Sequence, residues 1–160
     1  MVCFTDIAGF TRTAKTLSLG QIAALLKRVS SIISEHVRHT PGQVVKYIGD
    51  ASLLVFPEED VDSTTRELLS MKREIEGYFK AHYPDLSITF SAHLGEIIVV
   101  RLEPLADLDI LGETVNRASL LGNRARGGGF VISRDVHERL SEATRRLFRA
   151  AEVEVVYVAL

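Results

Sequence analysis

A chain of 160 residues, 46% hydrophobic and 25% charged, can bury a sizeable apolar core, and its length fits a single domain over residues 1–160. Nineteen basic against 21 acidic residues leave a formal net charge of -2. That balance excludes a broad positive field for nucleic acid or an anionic membrane, so any phosphate binding must be local.

Cys3 is the only cysteine and sits in an apolar run. An internal disulfide is therefore excluded, and a buried, reduced thiol in a cytoplasmic protein is expected. The longest apolar stretches reach about half a membrane span, and no leader pattern precedes them, so no membrane contact by this domain is expected. Met1 falls almost inside the first predicted strand, which reads as a domain cut from a larger protein, even a membrane-attached one.

In chain order, Met1 to Ile7 reads as a buried strand that delivers Asp6 to its end, followed by a glycine turn at Ala8-Gly9-Phe10-Thr11. From Ser18 the residues Ile22, Leu25, Leu26, Val29, Ile32, Ile33, His36 and Val37 recur at helical spacing, with Ser18 as cap and Pro41-Gly42 as stop. Gln43 to Ile48 and Ala51 to Phe56 are β-rich runs joined only by Gly49-Asp50, which predicts a hairpin with Asp50 at its tip. Asp60 to His82 predicts a second helix, capped by Asp60 or by Asp62 and Ser63, with Leu68, Leu69, Met71, Ile75, Tyr78 and Phe79 as its buried stripe.

Leu86 to Leu94 and Glu96 to Leu102 read as strands about Gly95, followed by a loop holding Pro104 and two aspartates. Gly112 to Asn123 predicts a third helix, and Gly127 to Gly129 lead into a strand at Phe130 to Ser133. Two short helical pieces and a final strand, Val153 to Ala159, complete the chain. The order β-α-β-β-α-β-β-α-β-α-β is an α+β arrangement: a ferredoxin-like βαββαβ core with additional C-terminal strands and helices.

The leading chemical feature is the pair Asp6 and Asp50, one at a strand end and one in a hairpin turn on the strand expected beside it. Adjacent strands lie roughly 5 Å apart, so two carboxylates at the same end of such a pair can share hard cations. Taken singly, Asp6 could merely cap the following turn and Asp50 merely make the hairpin. The five histidines lack metal-ligand spacing, and the glycine triplet lacks the Lys-Ser/Thr of a P-loop.

The segments FTDIAGFT and KYIGDA resemble the two metal-binding motifs of class III adenylyl and guanylyl cyclases, and LDILGETVNRAS (Leu108 to Ser119) resembles that family's purine- and ribose-reading segment. The resemblance implies two Mg2+ or Mn2+ ions per site, held by Asp6, Asp50 and the Ile7 carbonyl. Gly9, Phe10 and Thr11 would form the phosphate-facing turn, Lys46 and Asp109 would read the purine, and Asn116 would contact the ribose. Lysine donating to N1 and a carboxylate accepting from the exocyclic amine suit adenine, so ATP is favoured over GTP.

The same resemblance implies a homodimer, or a heterodimer with another cyclase domain, whose shared site sets Asp6 and Asp50 of one chain opposite Lys46, Asp109 and Asn116 of the other. The expected product is cyclic AMP, made for intracellular signalling. Two positions depart from the family pattern. Leu120 stands where an arginine neutralises charge on the transferring phosphoryl group, and no lysine follows Lys80, so the late phosphate-binding lysine is missing. Arg124, one helical turn beyond Leu120, is the cation expected to cover the gap. The alternative is a degenerate cyclase domain that dimerises and binds nucleotide with weak or no turnover.

Overall fold

The computed structural model describes residues 1–101, 108–125, 127–150 and 156–159. The first strand, β1 (Val2–Ala8), is followed by a short helix, α1 (Phe10–Ala14), and then by the long helix α2 (Leu19–Arg38). Ser18 caps α2 reciprocally: its hydroxyl accepts from the Gln21 N–H at 3.3 Å, and the Gln21 side chain accepts from the Ser18 N–H at 2.9 Å. The stripe that α2 buries, Leu25, Val29, Ile32, Ile33 and Val37, is the one its sequence spacing predicts.

Strands β2 (Gln43–Ile48) and β3 (Ala51–Val55) form the expected hairpin. A short 3-10 turn at Glu58–Asp60 leads into α3 (Val61–His82), which buries Leu68, Met71, Ile75 and Phe79. The expected side-chain cap of this helix is absent. Ser63 donates to the Asp60 carbonyl at 3.0 Å, and Asp62 accepts from the Ser141 N–H at 2.8 Å, so the acid ties in a later segment instead. Between the helices His36 bridges two acids, with Nδ1 2.6 Å from Glu67 and Nε2 3.1 Å from Glu74, a structural role for that histidine.

The remaining strands are β4 (Ser87–His93), β5 (Ile98–Arg101), β6 (Leu108–Leu111), β7 (Phe130–Ser133), β8 (Phe148–Ala150) and β9 (Val156–Ala159). Helix α4 (Glu113–Gly122) precedes β7, and the short helices α5 (Arg134–Glu138) and α6 (Glu142–Arg145) follow it. The main sheet runs β2-β3-β1-β4-β7-β9-β8, and its first four strands have the order of a ferredoxin-like βαββαβ unit. β1 lies between β3 and β4, antiparallel to both, while β4 and β7 are parallel.

Three expectations are corrected. β5 does not continue the main sheet but pairs with β6 in a separate antiparallel ribbon, so Asp109 belongs to a strand and not to a loop. β8, which the sequence reading did not include, pairs with β9. Helix α4 closes at Gly122, and the next residues turn off it: the Arg124 N–H donates to the Leu121 carbonyl at 3.0 Å. Pro104, Asp107 and the start of the final expected strand lie outside the described residues.

Helices α2 and α3 cover one face of the sheet and enclose the main core, which includes Cys3, Ile7, Leu54, Ile88 and Phe90. α4 and the ribbon lie against the other face, where Val2, Leu53, Ile110 and Ala118 cluster. Burial pushes the Cys3 thiol up to about 12, so it stays protonated and inert. No helix among the described residues is long and apolar enough to cross a membrane.

Phe90, Phe130 and Phe148 form an aromatic row, with ring centroids 5.4 and 5.6 Å apart, that joins β4, β7 and β8. Phe130 is fully buried. Phe130→Ala is expected to cost about 3–5 kcal/mol of unfolding free energy, read as a lower urea midpoint at unchanged slope.

Candidate functional site

Asp6 is placed by β1, the strand with partners on both sides, and Asp50 by the tip of the β2–β3 hairpin. Gly49 turns the chain with φ +64°, a left-handed conformation that favours glycine, and Asp50 follows at once. The β1–β3 ladder pairs Thr5 with Ser52. Continuing that antiparallel register sets Asp6 opposite Ala51 and Ile7 opposite Asp50. Asp6, Ile7 and Asp50 therefore lie at the same end of the β1–β3 pair.

Partial burial pushes the Asp6 carboxyl above its ordinary value; much of Asp6 remains exposed, so the desolvation is incomplete. Partial burial also pushes Asp50 up, opposed by its own backbone N–H. The Asp6 charge adds to the rise, and the Ile7 N–H opposes it. Two partly desolvated carboxylates, one of which feels the charge of the other, suit a hard divalent cation.

Among the described residues no group of three or more His, Cys, Asp or Glu side chains gathers to hold a metal. A two-carboxylate set fits Mg2+ chemistry, in which one or two protein carboxylates leave further positions to water and to substrate phosphates.

Gly9 makes the turn between Asp6 and α1. Its φ is +88°, and a Cβ there would stand 2.9 Å from the Asp85 carbonyl oxygen, so conformation and space both call for glycine. Arg12 and Thr13 donate their N–H groups to the Gly9 carbonyl at 3.2 and 3.1 Å, which closes the turn. Phe10 packs against the main core, and Thr11 is exposed.

Lys46 on β2 and Asp109 on β6 meet as the sequence reading expects, with Lys46 Nζ donating to Asp109 Oδ2 at 2.5 Å. That hydrogen bond, with a second from the Ile110 N–H at 2.8 Å, holds the Asp109 carboxyl below the usual carboxylate range. The pair lines a cavity of about 920 Å3 whose other walls include Val44, Val55, Phe56, Ile97 and Val99. Apolar walls with two convergent polar groups are what a flat heteroaromatic base requires.

Asp6 and Asp50 do not line that cavity. Asp6 borders one of about 310 Å3 beneath α4, and Asp50 borders one of about 240 Å3 between α2 and the hairpin. Within one chain the carboxylate pair and the Lys46–Asp109 pair thus face different spaces.

Asn116 is exposed on α4, and Leu120, one turn later, is 63% exposed despite being apolar. Arg124 does not continue that helix face, because the backbone has left the α-helix before it. The sequence reading extends α4 to Asn123 and sets Arg124 one turn beyond Leu120 on the same face; the helix ends at Gly122, before Arg124. Sequence reasoning missed the small polar groups beside Asp6, namely Thr89, Ser91, Ser119 and Asn123. On β4 they sit in a run that reads only as a buried strand, and on α4 they look like ordinary surface positions.

An uncharacterized protein of Mycobacterium tuberculosis is 28% identical over 128 residues, 78% of this chain but 23% of that protein. An adenylate cyclase of Anabaena cylindrica is 22% identical over 152 residues, 88% of this chain and 30% of that protein. The chain thus spans less than a third of the length of these relatives.

Among solved structures, the adenylyl cyclase CyaB from P. aeruginosa superposes with a TM-score of 0.81 at 19% identity, covering 98% of this chain and 90% of that one. The guanylate cyclase domain of RhGC from Catenaria anguillulae, solved in complex with GTP, superposes at 0.80 with 20% identity, covering 99% and 94%. At these identities the likeness speaks to the fold. The family model for the adenylate and guanylate cyclase catalytic domain matches residues 1–158, and the chain belongs to that family.

Proposed function

We propose that this domain converts ATP into cyclic AMP and pyrophosphate at a site shared between two chains. The observation that supports the reading is the placement of Asp6, Ile7 and Asp50 at the same end of the β1–β3 pair, with both carboxyls pushed up by burial. Asp6, Asp50 and the Ile7 carbonyl would hold Mg2+ or Mn2+, which when bound supplies charge neutralisation for both the attacking and the leaving oxygen.

The chain's own residues do the rest by positioning. Lys46 donates to adenine N1 and Asp109 accepts from the exocyclic amine, so together they set the purine plane. Asn116 hydrogen-bonds the ribose and aligns its 3′-hydroxyl with the α-phosphorus. The 3′-hydroxyl gives its proton to solvent water, its oxygen forms a bond to that phosphorus as the bond to the bridging oxygen breaks, and pyrophosphate leaves. The turn at Gly9, Phe10 and Thr11 presents backbone N–H groups to the phosphates.

The absence of both Asp6 and Asp50 from the cavity that Lys46 and Asp109 line supports a two-chain site. So does the exposed apolar surface at Ile98, Val99, Leu108, Leu111 and Leu120, which a partner would cover. The deciding experiment is cyclic-product formation from ATP or GTP with manganese, run beside Asp50→Ala. Cyclic AMP made only by the unaltered chain supports the reading; equal yields from both proteins refute it.

A regulatory dimer partner with weak turnover is the second reading, favoured by Leu120 at the position of the family's arginine. Leu120→Arg separates the two. An exposed helix position accepts arginine at little cost, and a restored guanidinium aimed at developing charge is expected to raise turnover about 10-fold or more. An unchanged rate in Leu120→Arg would favour the regulatory role.

A further inference from the structure

On the face of the sheet that α4 covers, Asp6 lies in register opposite Thr89, and Phe4, two residues back, lies opposite Ser91. Side chains two apart on a strand share a face, so Asp6, Thr89 and Ser91 stand together beneath α4. Thr89 Oγ1 donates to the Ala125 carbonyl at 3.3 Å, just past the end of that helix. A Cβ at Gly122 would stand 3.2 Å from Ser91 Oγ, so the missing side chain leaves the Ser91 hydroxyl open space.

That space belongs to the cavity of about 310 Å3, whose wall also includes Ser119 from α4 and Asn123 just past its end. Ser91 is only 1% exposed, and its hydroxyl has no hydrogen-bond partner among the described residues. A buried hydroxyl without a partner is costly, and a space of this size with polar side chains in its wall accommodates ordered water. An ionised carboxylate only accepts, whereas serine hydroxyls and the asparagine amide donate, so the wall is chemically matched to Asp6.

We propose that Ser91, Ser119 and Asn123 are positioning residues for Asp6: through ordered water in this cavity they fix the orientation of its carboxylate for divalent-cation binding and couple α4 to that site. The proposal rests on the reading of Asp6 as a metal ligand. Groups that orient a ligating carboxylate contribute to affinity without touching the ion, and their removal typically weakens binding about 10- to 100-fold.

The test is Mn2+ titration of the purified chain without nucleotide, followed by loss of the free-ion electron paramagnetic resonance signal. Ser91→Ala and Ser119→Ala are each expected to raise the Mn2+ Kd about 10-fold, and neither should add to the effect of Asp6→Asn. Thr64→Val is the control, because Thr64 is another buried hydroxyl without a partner among the described residues, on α3 across the sheet. It should bind Mn2+ as the unaltered chain does.

Should Ser91→Ala fail to fold, Ser119→Ala at an exposed position decides alone. Unaltered Mn2+ affinity in Ser119→Ala together with any folded Ser91→Ala overturns the positioning role while leaving the metal site intact. Mn2+ binding that survives Asp6→Asn unchanged overturns the metal reading and the proposal with it.

Discussion

Asp50→Ala is expected to lower cyclic-nucleotide formation about 1000-fold, with the fold retained. Asp50 sits at a hairpin tip beside the Ile7 backbone, and its side chain is not part of the apolar core. Truncation should therefore leave α2, α3 and the sheet in place. The size of the effect follows from the chemistry: phosphoryl transfer depends on positioning and electrostatic stabilisation, and removing one such group typically costs about 100- to 1000-fold. A carboxylate that holds a charge-neutralising ion belongs at the upper end of that range.

A second readout separates lost metal binding from lost structure. Mn2+ that binds only the folded chain at 100 times its Kd raises stability by about 2.7 kcal/mol, so the unaltered protein should melt higher with manganese present. Asp50→Ala should lose that rise. Asp50→Asn, which keeps the shape and removes one of two mutually repelling, partly desolvated charges, should melt no lower than the unaltered protein when manganese is absent. A manganese-dependent rise that persists in Asp50→Ala would mean that the ion binds elsewhere.

The elements that positioned this pair were legible because they carry strong periodic signals. α2 and α3 are long and amphipathic, Ser18 stands as a cap before α2, and Gly49-Asp50 between two β-rich runs specifies a hairpin. The ribbon β5–β6 was hidden for a physical reason: Leu108 and Leu111 are exposed, so the strand lacks the in-out alternation that burial imposes on a packed strand.

Likewise Asp62 looks like a helix cap in one dimension, but its acceptor is taken by Ser141, a contact 79 residues away that local spacing cannot reveal. The candidate site divides the same way. Asp6, Asp50, Lys46 and Asp109 stand in recognisable motifs; the structure brings Lys46 and Asp109 into contact and sets Asp6 and Asp50 at the same end of the β1–β3 pair. The polar cavity beside Asp6 depends on the packing of α4 over β1 and β4, and Arg124 depends on where α4 stops.

The exchange Lys46→Glu with Asp109→Lys is expected to reverse the base preference from ATP to GTP. Both residues lie on strand backbones held by neighbours, and the swap preserves an ion pair between β2 and β6. Folding should therefore tolerate it better than either single change, which would set like charges face to face. Adenine offers an acceptor at N1 and a donor at its exocyclic amine; guanine offers a donor at N1 and an acceptor at its carbonyl oxygen. Each mismatched hydrogen bond leaves a desolvated polar group unpaired at about 1–3 kcal/mol, so reversing two should move the ATP-to-GTP ratio of kcat/KM about 100-fold or more. The measurement is competition between the two nucleotides with both cyclic products quantified. A double variant that still makes cyclic AMP in preference would remove Lys46 and Asp109 from base recognition and leave their contact as a structural tie between the hairpin and the ribbon.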